Sequence, residues 1–165
     1  MRWTRAGADI KDTRVHAPGR RPAISASLSA GANTMSDAHA PYHAHIYYEA
    51  ASRPLAETMR CVLSHRMAAG ELAPLRFVGS LRDGKAGPHP LPQFEIHFTA
   101  EGLAVIREII RASGLTALIH PLTDDDLADH TRLAEWIGTP LALALDTLDP
   151  PGRNKGVARF GLSDF

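Results

Sequence analysis

Cysteine is nearly absent from this chain: Cys61 stands alone among 165 residues. One thiol closes no internal disulfide and builds no Cys-rich zinc module, and a reducing, cytoplasmic setting suits it. Charge of one sign is also missing. Eighteen Lys and Arg balance eighteen Asp and Glu, which removes the usual electrostatic case for a nucleic-acid or polybasic membrane partner. No run approaches the roughly 18 apolar residues a membrane-spanning helix needs. There is no Gly-x-Ser-x-Gly turn and no phosphate-cradling Gly-rich loop, so neither an activated serine nor a phosphate site is expected. With 44% hydrophobic and 22% charged residues, the composition is that of a globular domain able to bury a core. Histidine is what the chain has in plenty. Nine are present, the side chain that titrates near neutral pH and ligates metals.

The first residues differ from the rest. Residues 1–34 carry Arg2, Arg5, Lys11, Arg14, Arg20 and Arg21 against Asp9 and Asp12. They keep no period of 2 or 3.6 and are rich in Ala, Ser, Gly and Pro, which reads as a disordered extension over 1–38. It is either idle or the result of a start site placed ahead of Met35. It lacks the apolar stretch of a secretory signal and has only a faint transit-peptide texture. Residues 35–165 hold twelve basic and sixteen acidic residues, a net charge of −4. A domain is expected over 39–149 and a loose tail over 150–165.

Strand and helix signals alternate through that body. Residues 42–48 have strand composition. Leu55, Met59, Val62, Leu63 and Met67 recur at helical spacing, placing Cys61 on an apolar helix face, with Ser52 as candidate N-cap and Gly70 as stop. Strands are expected over 75–81 and 93–99, separated by a loop through Gly87-Pro88-His89-Pro90. A second helix carries Leu103, Ile106, Ile109 and Ile110 and stops at Gly114. A fourth strand covers 115–120, and 124–136 reads as a short helix with an acidic start. The order β-α-β-β-α-β predicts an α+β, ferredoxin-like antiparallel sheet with both helices on one face, followed by a short C-terminal helix. The other face has no cover within this order, so it must form a site, a dimer contact, or both.

Strand parity then sorts the histidines, since residues two apart share a face. His43, His45 and Tyr47 lie on one face of the first strand, and Tyr42, Ala44, Ile46 and Tyr48 on the other. In the third strand Phe94, Ile96 and Phe98 take the core side, leaving Gln93, Glu95 and His97 opposite. If His120 faces as His43 and His45 do, three strands aim four histidines and Glu95 at one surface, with His89 at its rim. Neutral imidazoles plus a carboxylate, without thiolate, suit Fe(II), Zn(II), Mn(II) or Cu(II). His43 or His45, His120 and Glu95 would supply a two-His, one-carboxylate set for non-haem Fe(II), and spare histidines would move protons. Plainer roles remain for others: His16, His39 and His65 as surface residues, His130 as a cap or surface residue, Tyr47 and Trp136 as packing aromatics, and Asp124, Asp125 and Asp126 as a solvated helix start. Two non-enzymatic readings also stand: a metal- or small-ligand-binding module without turnover, and a dimerisation domain using its bare sheet face.

Several strings agree in order with a known family. Tyr42-His43-Ala44-His45-Ile46-Tyr47-Tyr48, Gly87-Pro88-His89-Pro90, Phe94-Glu95-Ile96, His120-Pro121-Leu122-Thr123, Asp129-His130-Thr131 and Trp136-Ile137-Gly138 resemble the DOPA 4,5-dioxygenase family over roughly 41–145. The resemblance implies a small ferredoxin-like enzyme that cleaves the catechol ring of L-DOPA beside the diol, giving a seco-aldehyde that cyclises to betalamic acid or muscaflavin. Bacterial members carry the substrate assignment only weakly. The histidines matching its motifs are His43, His45, His89, His120 and His130; His97 is not among them. It implies Fe(II) as cofactor, with zinc possible as purified, and a small aromatic diol and O2 as partners; a homodimer is expected beside it. On parity, His45 and His120 are the expected ligands, with His43 or Glu95 completing the set and His89 or His130 serving as acid/base.

Overall fold

The computed structural model describes residues 38–163. The expected N-terminal extension, apart from residue 38, lies outside them. Five strands and three helices follow in the order β1 (Pro41–Tyr47), α1 (Arg53–Ala68), β2 (Leu75–Val78), β3 (Gln93–Thr99), α2 (Leu103–Ser113), β4 (Ala117–Pro121), α3 (Asp126–Asp129) and β5 (Glu135–Ile137). The sheet order is β2-β3-β1-β4-β5, and every neighbouring pair is antiparallel. As the sequence pattern requires, β1 and β3 form the central pair and β4 flanks β1.

Parity decides which face is greasy. Ala44, Ile46 and Tyr48 join Phe94, Ile96, Phe98, Ala117 and Ile119 in one buried cluster. The helices cover that cluster with Ala56, Met59 and Leu63 from α1 and Ile106 and Ile110 from α2. Each of the larger apolar side chains contributes about 1.5–3 kcal/mol by leaving water, so this layer carries most of the fold's stability. The stripe of α1 that faces inward differs from expectation. Leu55, Val62 and Cys61 are exposed, because the buried line runs through Ala56, Met59 and Leu63 at spacings of three and four. Ser52 stands at the N-cap of α1 but makes no side-chain cap bond. Gly114 ends α2 in the left-handed conformation, at φ 72°, where a Cβ would be strained.

The expected helix over 124–136 is corrected. Only Asp126–Asp129 is helical, capped by Asp125, whose side chain accepts from Ala128 N–H. The chain then turns, and Glu135–Ile137 adds a fifth strand beside β4 with Trp136 opposite Leu118. A bidentate pair from Arg107 on α2 to Glu135 fastens this strand, an arrangement that helical spacing in the sequence does not disclose.

The second face is not bare. His43, His45, Gln93, Glu95, His97 and His120 are all buried on it. Part of the cover comes from the segment read as a loose tail. Gly161 N–H donates to His97 Nδ1 at 2.9 Å, Ser163 Oγ donates to Glu95 Oε1 at 2.9 Å, and Arg159 and Asn154 both bind Asp126. These bonds are why residues 152–163 stay on the sheet without any secondary structure of their own.

Candidate metal centre

Antiparallel register builds the site. On β1, His43 lies opposite His97 of β3 and His120 of β4, while His45 lies opposite Glu95 and Leu118. The hydrogen-bonded ladder thus fixes the imidazoles of three adjacent strands against each other. The loop before β3 adds His89, and the residue after α3 adds His130. The ring centroids of His45 and His89 stand 4.0 Å apart, and those of His120 and His130 stand 4.4 Å apart. Two sets of nitrogens come within 4.8 Å of one another: His43, His45 and His120, and His45, His89 and His130, every member buried. A cavity of about 490 Å³ opens on these rings, lined among others by His43, His45, His89, His130, Leu148 and Arg159.

The hydrogen bonds behind the rings identify which nitrogens carry lone pairs. A carbonyl oxygen only accepts, so His120 Nδ1, 2.7 Å from the Pro121 carbonyl, carries the proton. The same holds for His130 Nδ1, 2.9 Å from the Asp126 carbonyl. With the Gln93 amide oxygen toward it, 3.0 Å from Oε1, His45 Nδ1 donates too. The bare nitrogens are therefore the Nε2 atoms. In that amide orientation those of His45 and His120 face each other across 3.1 Å as two lone pairs, which repel. The tautomer pattern is that of metal-ligating histidines, whose outer nitrogen donates to a carbonyl or carboxylate. Two imidazoles sharing a cation through bonds of about 2.1 Å stand roughly 3.0–3.4 Å apart, so the donor set fits a metal ion.

Protonation does not relieve this repulsion at neutral pH. Burial first, then the neighbouring histidines, holds His43 and His45 well below the usual imidazole range. His120 is lowered in the same way, against a smaller opposing effect from its bond to Pro121. His89 is pushed down to about 3 by burial and His130, and His97 to about 4 by burial and Arg159. The imidazoles are thus neutral and able to ligate.

The residues expected at the site are mostly brought together. His43, His45, His89, His120 and His130 converge; His130, for which a cap or surface role stood open, is buried. Glu95 falls outside both nitrogen sets. Although it lies beside His45 in register, its side chain turns toward β2, where Gly79 leaves room: a Cβ at 79 would stand 2.9 Å from Glu95 Cγ. There Glu95 accepts the hydroxyl of Ser163. His97 stacks on His43, with centroids 3.8 Å apart, and joins neither set. His39 and His65 are exposed.

Some contributors were not singled out from sequence. Tyr47, read as a packing aromatic, does stack on Trp136, but its hydroxyl also lies 2.7 Å from His89 Nδ1. Its parity with His43 and His45 was the available signal. Gln93 shares a face with Glu95 and His97, yet an amide carries no metal signature. Asp126, read as a solvated helix start, is instead buried in an ion pair with Arg159, with Nη1 2.7 Å from Oδ1.

An α+β protein with buried histidines fit for a metal is thus the class that fold and site define. The sequence profile of the Dopa 4,5-dioxygenase family matches residues 42–147, and the chain belongs to that family. It is 36% identical over 64 residues to a "DOPA 4,5-dioxygenase" of Amanita muscaria, an alignment covering 38% of this chain and 28% of that protein. An "Uncharacterized 21.2 kDa protein" of Botryotinia fuckeliana is 39% identical over 69 residues, covering 36% of this chain and 38% of that one. The chain therefore matches well under half the length of these two relatives. A crystal structure from Nostoc punctiforme PCC 73102, described as that of "a putative dioxygenase", superposes with a TM-score of 0.54 at 30% identity, over 66% of this chain and 90% of that one.

Proposed function

We propose that the protein is an extradiol ring-cleaving dioxygenase acting on a catechol such as L-DOPA, with Fe(II) held by His43, His45 and His120. The single observation that carries the reading is the pair of facing Nε2 atoms of His45 and His120, each ring's other nitrogen tied to an oxygen. Bound Fe(II) would act as template and Lewis acid, lowering the catechol pKa and bringing O2 beside the ring. Glu95 leaves the proposed ligand set, because its carboxylate points elsewhere.

The chain's own residues supply the rest. His89 and His130 approach His45 from the cavity side and are the proposed acid/base groups. The Tyr47 hydroxyl, kept neutral by a pKa that burial raises, holds the His89 ring in place. A catecholate beside His89 would favour the imidazolium that burial otherwise disfavours, so a proton taken from the diol stays close to the reacting ring. Pro88, Leu148, Val157 and Leu162 give the cavity wall apolar surface for an aromatic ring, and its volume is in the range of small-molecule sites. The same reading makes the protein a cytoplasmic homodimer whose contact lies away from this face, since the chain itself already buries His43 and His120.

The test is anaerobic loading with Fe(II), followed by a catechol panel monitored for a yellow product with matched oxygen uptake. Stoichiometric metal with no oxygen uptake on any catechol would replace this reading with a metal-binding module lacking turnover.

A further inference from the structure

Gln93 sits at the head of β3 with its backbone held on both sides: its N–H donates to the Arg82 carbonyl at 3.1 Å and its carbonyl accepts from Arg82 N–H at 2.8 Å. Its side chain is fully buried and reaches His45 Nδ1. Only the oxygen end of the amide is used. Among the described residues, Gln93 Nε2 has no hydrogen-bond partner. A buried amide with one end unpaired is destabilising, and turning it over would not remove that cost. The NH2 would then donate to His45 Nδ1, and the oxygen would be the unpaired end. The two orientations are therefore closely matched by the amide's own bonds, and something else must choose between them.

The choice propagates across the site. With the oxygen toward His45, Nδ1–H is fixed and Nε2 is bare, facing the bare Nε2 of His120. With the NH2 toward His45, the proton sits on Nε2 and donates across the 3.1 Å gap to His120, whose own tautomer the Pro121 carbonyl holds constant. The first arrangement leaves two facing lone pairs that a cation between the rings would relieve; the second closes without one.

We propose that Gln93 is a positioning residue that sets the tautomer of His45, its amide turning over between metal-free and metal-bound protein. The inference rests on the reading that His45 and His120 share a metal ion. Glutamate in its place only accepts, and so fixes the metal-ready tautomer permanently. Methionine, of similar size, offers no acceptor and leaves His45 to donate to His120.

The test pairs Zn(II) competition titrations with 15N spectra of the histidine rings, in wild type, Gln93→Met and Gln93→Glu. Wild type should move its His45 proton from Nε2 to Nδ1 as zinc is added. Gln93→Met should keep the Nε2 proton when metal-free and bind zinc roughly 10- to 100-fold more weakly. Gln93→Glu should show the Nδ1 proton without metal and bind zinc at least as tightly as wild type. Equal zinc affinity for wild type and a folded Gln93→Met, or an Nδ1 proton on His45 in metal-free Gln93→Met, would overturn the proposal. Should Gln93→Met not fold, Gln93→Glu decides: an Nε2 proton on His45 there would overturn it alone. Wild type that binds no zinc would instead remove the shared-metal reading on which the inference rests.

Discussion

Acidification of the metal-free protein should unfold it at an unusually high pH. His43, His45, His89, His97 and His120 all have pKa values lowered in the fold. Their unfolded values lie near 6.5. A group lowered on folding contributes stability that is complete above its unfolded pKa. As pH falls below that value, the unfolded chain takes protons the folded one refuses, and the contribution is lost down to the folded pKa. For a single histidine the loss is about 1.3 kcal/mol at pH 5.5 and about 1.9 kcal/mol at pH 5, measured from pH 7. Five together lose about 6 and about 9.5 kcal/mol. Asp129, whose carboxyl burial raises, acts in the opposite sense, one group against five. Domains of this size are stable by about 5–15 kcal/mol, so the midpoint should fall between about pH 4 and 6. Circular dichroism during acid titration after chelator dialysis measures it, with urea unfolding at several pH values giving the slope. Saturating zinc should move the midpoint to lower pH, because only the folded site binds it well. Unchanged urea stability between pH 7 and 5 would refute the reasoning: the imidazoles would then not be buried and neutral.

Three further outcomes follow from single contacts. His120→Ala removes one of the two facing nitrogens, and zinc affinity in a competition titration should fall at or beyond the roughly 100-fold that marks the upper end for losing a supporting residue. Gly79→Ala puts a Cβ 2.9 Å from Glu95 Cγ and 3.2 Å from the Glu95 carbonyl oxygen; overpacking of this kind costs about 1–3 kcal/mol, read as a lower urea midpoint. Arg107→Ala cuts the tie to β5, but its pair with Glu135 is about one-third exposed at both ends, so calorimetry should show a loss of less than about 1 kcal/mol.

The sheet and the histidines' shared face were readable in the sequence because both depend on a period of two. His43, His45 and His120 needed only parity and strand order to be placed side by side. What escaped depends on turns and on pairs distant in sequence. A three-residue strand such as Glu135–Ile137 is too short to display a period, so its signal merged with the preceding helix. Residues 152–163 have no period either, and contacts distant in sequence, such as Gly161 with His97, Ser163 with Glu95 and Arg159 and Asn154 with Asp126, hold them in place. Glu95 was assigned the right face, but parity gives a side chain's face and not its lateral direction; the space above Gly79 settled that.

The C-terminal stretch has a practical consequence for handling the protein. The family profile ends at residue 147, whereas Arg159, Leu162 and Ser163 stand in the cavity wall. A histidine-rich segment fused directly after Ser163 would bring competing imidazoles to that wall. A truncation trimmed to the profile would discard one side of the chamber it was meant to preserve.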